Sequence, residues 1–428
     1  MSARPTVCFF PEGAYGPTNN CVGIGKVLLE RGARVVFVIE ESFSGTLEAH
    51  GFEEALMRLK PPPETEEAPG QSWKDFVRET SPQFRRPTID QLEGFILPVW
   101  QELVDGARYV DDRLREIFDE VSPDVIVEDN VVAFPAVSAW GAPWVRIVSC
   151  NPLELKDPGL PPPFSGYPTS DRAGWDDFRR RHLELHEPLR KEFSEFCLVR
   201  GAQPLPKGEF IHESAHLNLY VYPAELDYTR SRPLGPAWRR LESCVRSVDE
   251  RFDAPEGEGG LVYLSLGSLG SADVELMNRL VAALARTPHR YIVSKGPQHA
   301  LIELADNMVG AEFLPQPAIL PLVDLVITHG GNNTVTESLH FGKPMVVLPL
   351  FWDQYDNAQR VAETGAGVRL PTYEFEEASL REAIERLLAD RGLRARLQGV
   401  ARRLQATPGT VRAADLIQRV AERVPAFD

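Results

Sequence analysis

Short apolar runs alternate with helical stretches along the first half of the chain. The run Val7–Phe10 is followed by a turn rich in Gly, Pro and Asn, by the helical stretch Val22–Arg31 and by the apolar run Arg34–Ile39. Two buried strands around a helix make a βαβ unit, and such units imply a parallel sheet. Further strands of this sheet are predicted at Asp124–Val127, Trp144–Val148 and Leu217–Val221.

The second half of the chain repeats this alternation after a segment with little periodicity. Residues 223–260 are rich in charges, Pro and Gly, which is typical of a connection between domains. The pattern predicts an α/β protein with an N-terminal domain at residues 1–235, a linker at 236–260 and a second doubly wound domain at 261–405. Two such domains facing each other place a ligand cleft at the carboxyl ends of their strands. The strands expected in the second domain are Leu261–Leu266, Arg290–Val293, Leu325–Thr328, Met345–Leu348 and Gly367–Leu370.

The composition argues against nucleic acid and membranes as partners. The 428 residues carry a formal net charge of -16, which repels phosphate backbones and anionic lipids. No apolar run reaches the roughly 18 residues that predict a membrane span, so we expect a cytoplasmic protein without stable membrane insertion. The five cysteines form no Cys-x-x-Cys pair, and no carboxylate cluster has metal-site spacing. Neither a disulfide framework nor a metal site is therefore predicted.

The segment Thr328–Glu337 (THGGNNTVTE) carries the clearest chemical signal, because it follows an apolar strand and opens a helix. Its glycines let the backbone approach a ligand closely. The N–H groups at the start of the helix, together with the helix dipole, attract phosphate. A turn followed by a helix cap explains the same residues without a ligand, and the segment alone leaves both interpretations open. The candidate ligand contacts are His329, Gly331, Asn333, Thr334 and Glu337.

Two flanking segments favour the phosphate interpretation. Phe313–Leu320 precedes the strand, and Phe351–Asn357 follows the next one. In this order the three pieces resemble the nucleotide-sugar signature of the family-1 glycosyltransferases, which include bacterial macrolide and other natural-product enzymes. The family pattern runs Trp-x-Pro-Gln, then His-x-Gly-x-x-Ser/Thr-x-x-Glu, then an acidic residue with Gln. The first piece has Phe313 in place of Trp.

The resemblance implies a role for each matched residue in binding the nucleotide. Phe313 stands where the family stacks a tryptophan on uracil, and Gln316 would address the uracil edge. Glu337 would accept hydrogen bonds from the ribose. The segment Leu264–Ser268 resembles a family strand that ends in Gly-Ser, so the Ser268 hydroxyl would face the phosphates. The diphosphate would lie against the Gly331 backbone and be held by His329, Asn333 and Thr334.

For the sugar and the acceptor, the resemblance implies a second group of residues. Asp353 and Gln354 match the pair that holds hexose hydroxyls. A matching C-terminal helix, residues 406–428, would return to the N-terminal domain. The implied fold is GT-B, with two Rossmann-like domains around a cleft. The implied reaction is inverting transfer of a hexose from a UDP-sugar, with UDP-glucose favoured and TDP-sugars still open, to a small phenolic or hydroxylated hydrophobic acceptor. The donor is a substrate, so no cofactor is expected.

The chain departs from the family at the general base. The family carries a histidine in the first strand-to-helix loop, and aligning the helix end at Gly32 puts Pro17 at that position, with Tyr15 close by. Asp129 matches the partner carboxylate of the family histidine and is the base candidate, and Glu12 is another acid in the acceptor loop. The missing histidine supports one alternative, a non-catalytic nucleotide-sugar-binding protein. A sugar-nucleotide epimerase of the same fold is a second alternative.

Overall fold

The chain folds around two parallel sheets of seven and six strands. The structure is a computed structural model that describes residues 4–13, 15–62, 75, 79–248 and 250–424. The first sheet contains β1 (Thr6–Pro11), β2 (Arg34–Glu40), β3 (Glu53–Met57), β4 (Val125–Asp129), β5 (Trp144–Val148), β6 (Leu217–Val221) and β7 (Trp238–Leu241). The second contains β8 (Leu261–Ser265), β9 (Arg290–Ser294), β10 (Met308–Ala311), β11 (Leu325–Thr328), β12 (Met345–Val347) and β13 (Gly367–Arg369).

Helices connect these strands and cover both faces of each sheet. In the first domain they are α1 (Tyr15–Glu30), α2 (Thr88–Gln91), α3 (Leu97–Val121), α4 (Pro135–Ala139) and α5 (Trp175–Val199). In the second they are α6 (Gly267–Gly270), α7 (Val274–Leu284), α8 (Gln316–Ile319), α9 (Asn332–His340), α10 (Gln354–Glu363), α11 (Glu377–Ala389) and α12 (Arg391–Ala406), with α13 (Gly409–Ala421) at the end. A π-helical turn, Leu92–Ile96, leads into α3, and short 3-10 turns lie at Glu41–Phe43, Glu48–His50, Ser81–Arg85, Pro152–Glu154 and His299–Leu301. Within the described ranges, no helix is both long and apolar enough for a bilayer span.

The strand order fixes where ligands can bind. The first sheet runs β3-β2-β1-β4-β5-β6-β7 and the second β10-β9-β8-β11-β12-β13. The strand that comes first in sequence lies inside each sheet: β1 lies between β2 and β4, and β8 lies between β9 and β11. The strand order changes direction at these two strands, which makes each of them a topological switch point. Ligands of doubly wound sheets bind outside the carboxyl ends of the strands at this switch point. The ends of β1 and β4 carry Glu12 and Asp129, and the ends of β8 and β11 carry Ser265 and His329.

Several elements differ from those expected from the sequence. Trp238–Leu241 forms β7 and pairs with β6, so the first sheet continues past residue 235, where the linker was expected to begin. This short edge strand reads Trp-Arg-Arg-Leu, and its two adjacent arginines hid it from a search for continuous apolar runs. β4 extends to Asp129, two residues beyond the predicted end, because buried carboxyl-bearing residues continue the pairing with β1.

The last helix packs on the first domain. Ala413, Ala414, Ile417 and Val420 lie in the same apolar cluster as residues of α1, β1 and β4. The Arg31 guanidinium also lies 2.7 Å from the Asp415 carboxylate. Helix α13 therefore ties the end of the second domain to the opening βαβ unit.

Candidate active site

The carboxyl ends of the two sheets meet at an interface that is held by polar contacts. The Asn332 side chain donates to the carbonyl of Val221 at the end of β6, at 3.0 Å. From the opposite side, the backbone N–H of Asn151 donates to the Asp353 carboxylate at 2.8 Å. Both switch points therefore face one cleft, which is where the candidate residues of the two halves come together.

The turn between β11 and α9 requires its two glycines. Gly330 has a φ of 89°, and a Cβ there would lie 2.8 Å from Val347 and 3.0 Å from the carbonyl oxygen of Gln354. A Cβ on Gly331 would lie 2.5 Å from Nε2 of His329. The sequence thus brings the backbone, the imidazole and the start of α9 into one small space, as phosphate binding at a helix N-terminus demands.

His329 is a neutral hydrogen-bonding group in this turn. Burial lowers its pKa to about 4, and a hydrogen bond with the Ser265 backbone opposes that shift only in part. A Cβ on Gly267, which has a φ of 71°, would lie 2.8 Å from the imidazole. Ser268 follows in α6 and is half-buried at the same sheet edge. A neutral imidazole keeps one N–H, which can donate to a phosphate oxygen.

The candidates for base and ribose recognition lie next to each other. Gln316 donates through Nε2 to Oε2 of Glu337 at 2.6 Å and to the Thr334 hydroxyl at 3.4 Å. Burial raises the pKa of Glu337, while the bond with Gln316 and the charge of Arg246 lower it. Phe313 lies at the surface, with 52% of its area exposed. The side chains of Gln316, Thr334 and Glu337 are therefore assembled before any nucleotide binds.

Asn333 contacts the first domain through both ends of its amide. Its Nδ2 donates to the carbonyl of Gly16 at 2.8 Å, and its Oδ1 accepts from Nδ2 of Asn20 at 2.9 Å. A diphosphate at the start of α9 competes with Gly16 for this amide donor. The residue expected to bind phosphate is thus also a link between the two domains.

Asp353 and Gln354 are both buried at the cleft. Burial raises the pKa of Asp353 to about 7, although the hydrogen bond that its carboxylate accepts from the backbone N–H of Asn151 lowers that pKa in part. The Oε1 of Gln354 accepts from the backbone N–H groups of Leu350 and Phe351, at 3.0 and 3.2 Å. The amide oxygen of Gln354 therefore holds the loop, and its NH₂ group is the part that can address a sugar hydroxyl.

On the side of the first domain, Asp129 is the central acid. Its residue is 3% exposed, and its Oδ2 accepts a 2.5 Å hydrogen bond from the Ser149 hydroxyl. Burial raises the pKa of Asp129 to about 7, and the hydrogen bonds from Ser149 moderate that rise. A carboxyl group with a pKa near 7 is matched to proton transfer at neutral pH.

The acceptor loop places a second acid at this site. Burial, followed by the charges of Asp129, Glu154 and Asp353, raises the pKa of Glu12 to about 7. Pro17 is half-buried in the first turn of α1, while the side chain of Tyr15 lies outside the described part of the structure. Four carboxyl groups from both domains therefore influence one another around the cleft.

Aromatic side chains from both domains meet beside these acids. The Trp352 ring lies 4.6 Å from the Phe164 ring and 5.4 Å from the Trp100 ring, measured between centroids. Phe351 lies 4.8 Å from Phe84 in the same way. Trp352 immediately precedes Asp353 and has a φ of 56°, a backbone conformation that non-glycine residues rarely adopt. The loop before Asp353 is thus an aromatic contact between the domains.

Sequence reasoning missed several polar residues at the interface, among them Asn20, Ser149 and Asn151. Ser149 and Asn151 follow β5, the strand next to β4, so the rule that ligands bind at strand ends could have pointed to them. Asn20 lies one helical turn after Pro17, on a helix that begins at Tyr15 rather than at Val22 as predicted.

Comparison with known proteins agrees with this geometry. Residues 245–398 match the family described as UDP-glucoronosyl and UDP-glucosyl transferase. The NDP-glycosyltransferase YjiC of Bacillus subtilis (strain 168) is 24% identical over 417 residues, which cover 95% of this chain and 94% of that protein. The oleandomycin glycosyltransferase of Streptomyces antibioticus is 26% identical over 422 residues, which cover 96% and 90%.

A solved structure shows the same fold. The glycosyltransferase of kitacinnamycin superposes with a TM-score of 0.71 at 22% sequence identity, and the match covers 97% of this chain and 99% of that one. The expected GT-B architecture is therefore confirmed, as is the resemblance on which it rested. The family match lies in the second domain, the relatives that align over nearly the whole chain are glycosyltransferases, and the chain is a glycosyltransferase that uses nucleotide-sugar donors.

Proposed function

We propose that the enzyme transfers glucose from UDP-glucose to the hydroxyl of a small hydrophobic or phenolic acceptor, with Asp129 as the general base. One observation carries the proposal: the carboxyl of Asp129, with a pKa of about 7, lies at the switch point that faces the start of α9. The missing histidine therefore does not leave the cleft without a group that can accept a proton near neutral pH.

The proposed reaction is a single displacement with inversion. The acceptor hydroxyl gives up its proton toward Asp129, and its oxygen attacks the anomeric carbon from the side opposite the diphosphate. The bond between that carbon and the phosphate oxygen breaks, and UDP leaves with the electron pair. The N–H groups at the start of α9 and the neutral imidazole of His329 stabilise the negative charge that grows on the leaving diphosphate.

The donor preference rests on the polar groups of the second domain. Gln316 and Glu337 are paired where a base and a ribose would lie, and Asp353 and Gln354 are the candidates for the hexose hydroxyls. A carboxylate can accept from two adjacent hydroxyls, and an amide NH₂ can donate to a third. These groups support UDP-glucose, and thymidine-diphosphate glucose is the alternative donor to be compared.

The acceptor preference rests on the aromatic side chains Trp352, Phe164 and Trp100, which pack together next to Asp353. Aromatic faces favour flat, apolar molecules over free sugars and other strongly hydrated acceptors. A phenol also demands less of a base than an aliphatic alcohol, because its hydroxyl is more acidic. Both properties support a phenolic or hydroxylated hydrophobic acceptor.

Product analysis with matched donors and acceptors tests the proposal. The enzyme is incubated with UDP-glucose or thymidine-diphosphate glucose, and with phenols, aliphatic alcohols or no acceptor. We expect a β-glucoside of the phenols, formed faster from UDP-glucose, and little nucleotide release without an acceptor. Faster transfer from the thymidine donor, or transfer to aliphatic alcohols alone, would contradict the proposed substrate classes.

A further inference from the structure

We infer that the Ser149 hydroxyl relays the acceptor proton to Asp129, and that Asn20 positions this hydroxyl and couples it to the donor site. The inference rests on the proposed role of Asp129 as base. In this scheme Ser149 supplies the proton-accepting contact that the family resemblance assigns to a histidine at the position of Pro17. Asp129 would thus work through a neighbour rather than by direct contact with the acceptor.

The side chains of Asp129, Ser149, Asn20 and Asn333 form one continuous hydrogen-bond network. Ser149 donates to Oδ2 of Asp129 at 2.5 Å and accepts from Nδ2 of Asn20 at 2.9 Å. The same Nδ2 of Asn20 donates to Oδ1 of Asn333 at 2.9 Å. Asn20, Asp129 and Ser149 are all at most 7% exposed, so water competes little for these bonds. The network joins the end of β4 to the start of α9.

The hydrogen-bonding capacity of Ser149 makes it a relay. A serine hydroxyl has one proton to donate and two lone pairs that accept. Its proton goes to Asp129, and one lone pair is taken by Asn20, so one lone pair remains for an incoming donor. An acceptor hydroxyl can fill that position. Ser149 already donates its proton to Oδ2 of Asp129. Transfer of the acceptor proton through the serine is therefore favoured over direct contact between the acceptor and that oxygen.

The proposed step balances without any further reactant. As the acceptor oxygen attacks the anomeric carbon, its proton passes to the Ser149 oxygen, and the serine's own proton passes to Oδ2 of Asp129. Ser149 is a hydroxyl before and after the step, and Asp129 ends protonated. The sugar–phosphate bond breaks, and the nucleoside diphosphate takes its electron pair. Release of the proton from Asp129 to solvent restores the enzyme.

Asn20 is a positioning residue in this scheme. Its single NH₂ group bridges Ser149 and Asn333, and Asn333 lies in the first turn of the helix expected to bind the diphosphate. Movement of Asn333 toward a bound diphosphate therefore changes the orientation of Asn20 and of the Ser149 hydroxyl. The base site would be aligned by the donor before transfer begins.

Variants at the base site distinguish a proton relay through Ser149 from direct proton transfer to Asp129. They are Ser149→Ala, Ser149→Thr, Asp129→Asn and the double variant Ser149→Ala/Asp129→Asn. Ser138→Ala is the matched control, because the Ser138 hydroxyl on α4 has no hydrogen-bond partner within the described structure. Turnover is measured from pH 5.5 to 9 with one phenol and UDP-glucose, and donor affinity is measured by calorimetry. We expect Ser149→Ala to lower kcat about 100-fold at every pH, Ser149→Thr to retain most activity, and the double variant to lose no more than Asp129→Asn.

The outcomes distinguish failure of the relay from failure of the proposed base. A Ser149→Ala enzyme whose kcat returns to the wild-type value at high pH would overturn the relay, because Asp129 would then act directly with a shifted pKa. A nearly active Asp129→Asn enzyme would instead overturn the proposed base. For the positioning role, Asn20→Ala should lower kcat about tenfold or more and leave KM for the phenol unchanged. An Asn20→Ala enzyme with wild-type kcat and pH profile would contradict the coupling to the donor site.

Discussion

Gln316 and Glu337, which lie 21 positions apart in the chain, are joined by a 2.6 Å hydrogen bond at the edge of the second sheet. The family resemblance implies that the two residues contact different parts of a nucleoside, the base edge and the ribose. The bond orients the Glu337 carboxylate before a ligand arrives. A preassembled site of this kind loses less conformational freedom on binding.

Removal of either His329 or Glu337 should weaken UDP binding. We expect His329→Ala and Glu337→Ala each to cost roughly 1–3 kcal/mol of binding free energy, the cost of losing a hydrogen bond to a charged or buried group. Isothermal titration with UDP gives this value directly. Glu374→Ala, at an exposed position of the same domain, is the control and should bind UDP like the wild type. Unchanged affinity in both test variants would place the nucleotide elsewhere.

Two substitutions at Gln354 should separate its structural role from sugar recognition. Gln354→Ala removes the oxygen that accepts from Leu350 and Phe351, and we expect it to lower the free energy of unfolding by roughly 1–3 kcal/mol. Gln354→Glu keeps that oxygen but lacks the NH₂ group. It should fold with nearly wild-type stability, bind UDP normally and lose catalytic efficiency with UDP-glucose. Equal losses for UDP and UDP-glucose would show that the NH₂ group does not contact the sugar.

The buried carboxyls of the candidate active site should contribute to activity and to stability with opposite pH dependence. Burial raises the pKa of Glu12, Asp129 and Asp353 to about 7, above the value near 4 of an unfolded chain. The folded enzyme therefore binds more protons between about pH 4 and 7. The stabilisation from these protonated groups is complete below about pH 4 and is lost as the pH rises through 7.

The proposed mechanism also requires Asp129 to be ionised before it accepts the acceptor proton. We expect kcat to rise with a midpoint near pH 7. The free energy of unfolding, measured with urea at pH 5, 6, 7 and 8, combines the falling contribution of these carboxyls with the rising contribution of buried histidines such as His186 and His329, whose pKa values burial lowers. The difference in stability between the wild type and Asp353→Asn isolates one carboxyl, and the wild type should lose stability relative to the variant as the pH rises from 5 to 8. A difference that stays constant over this range would contradict the pKa shift assigned to Asp353.

Helix α13 should contribute to the stability of the first domain. Ile417 is fully buried against the cluster of α1 and the first sheet, and we expect Ile417→Ala to cost about 2–5 kcal/mol of unfolding free energy. Val411→Ala, at a position on the same helix that is 38% exposed, should cost less than 1 kcal/mol, which is about the effect of a surface change. Both variants are measured by thermal and by urea unfolding. Equal losses of stability in Ile417→Ala and Val411→Ala would show that the buried face of α13 does not hold the helix on the first domain.

The strongest sequence patterns predicted the architecture and the second-domain turn. Continuous apolar runs such as Leu325–Thr328 predict buried parallel strands from composition alone, and Gly330 and Gly331 mark a turn that other residues cannot make. The short edge strands β3 and β10 were missed for different reasons: β3 begins with two glutamates, and β10 has four residues of which three are exposed. Local patterning therefore predicted the central strands better than the edges.

The base site could not be derived in the same way. Asp129, Ser149 and Asn20 come from three separate elements, and their contacts follow from the order of strands β1, β4 and β5. A serine after a strand or an asparagine in a helix has no distinctive spacing. Likewise, the hydrogen bond from the Asn333 amide to the Gly16 carbonyl depends on how the two domains pack against each other. Such contacts between distant segments become visible only in the folded chain.

The most direct test of the account is acceptor-dependent release of UDP by the wild type and by Asp129→Asn, with donor affinity measured in parallel. General-base catalysis predicts that the variant turns over a phenol about 100-fold more slowly or worse, while its affinity for UDP-glucose stays the same. The wild-type rate should depend only weakly on the acceptor pKa, because the enzyme removes the proton. An Asp129→Asn enzyme that keeps most of its activity, with a rate that follows the ionisation of the acceptor, would contradict the assignment of Asp129 as the base.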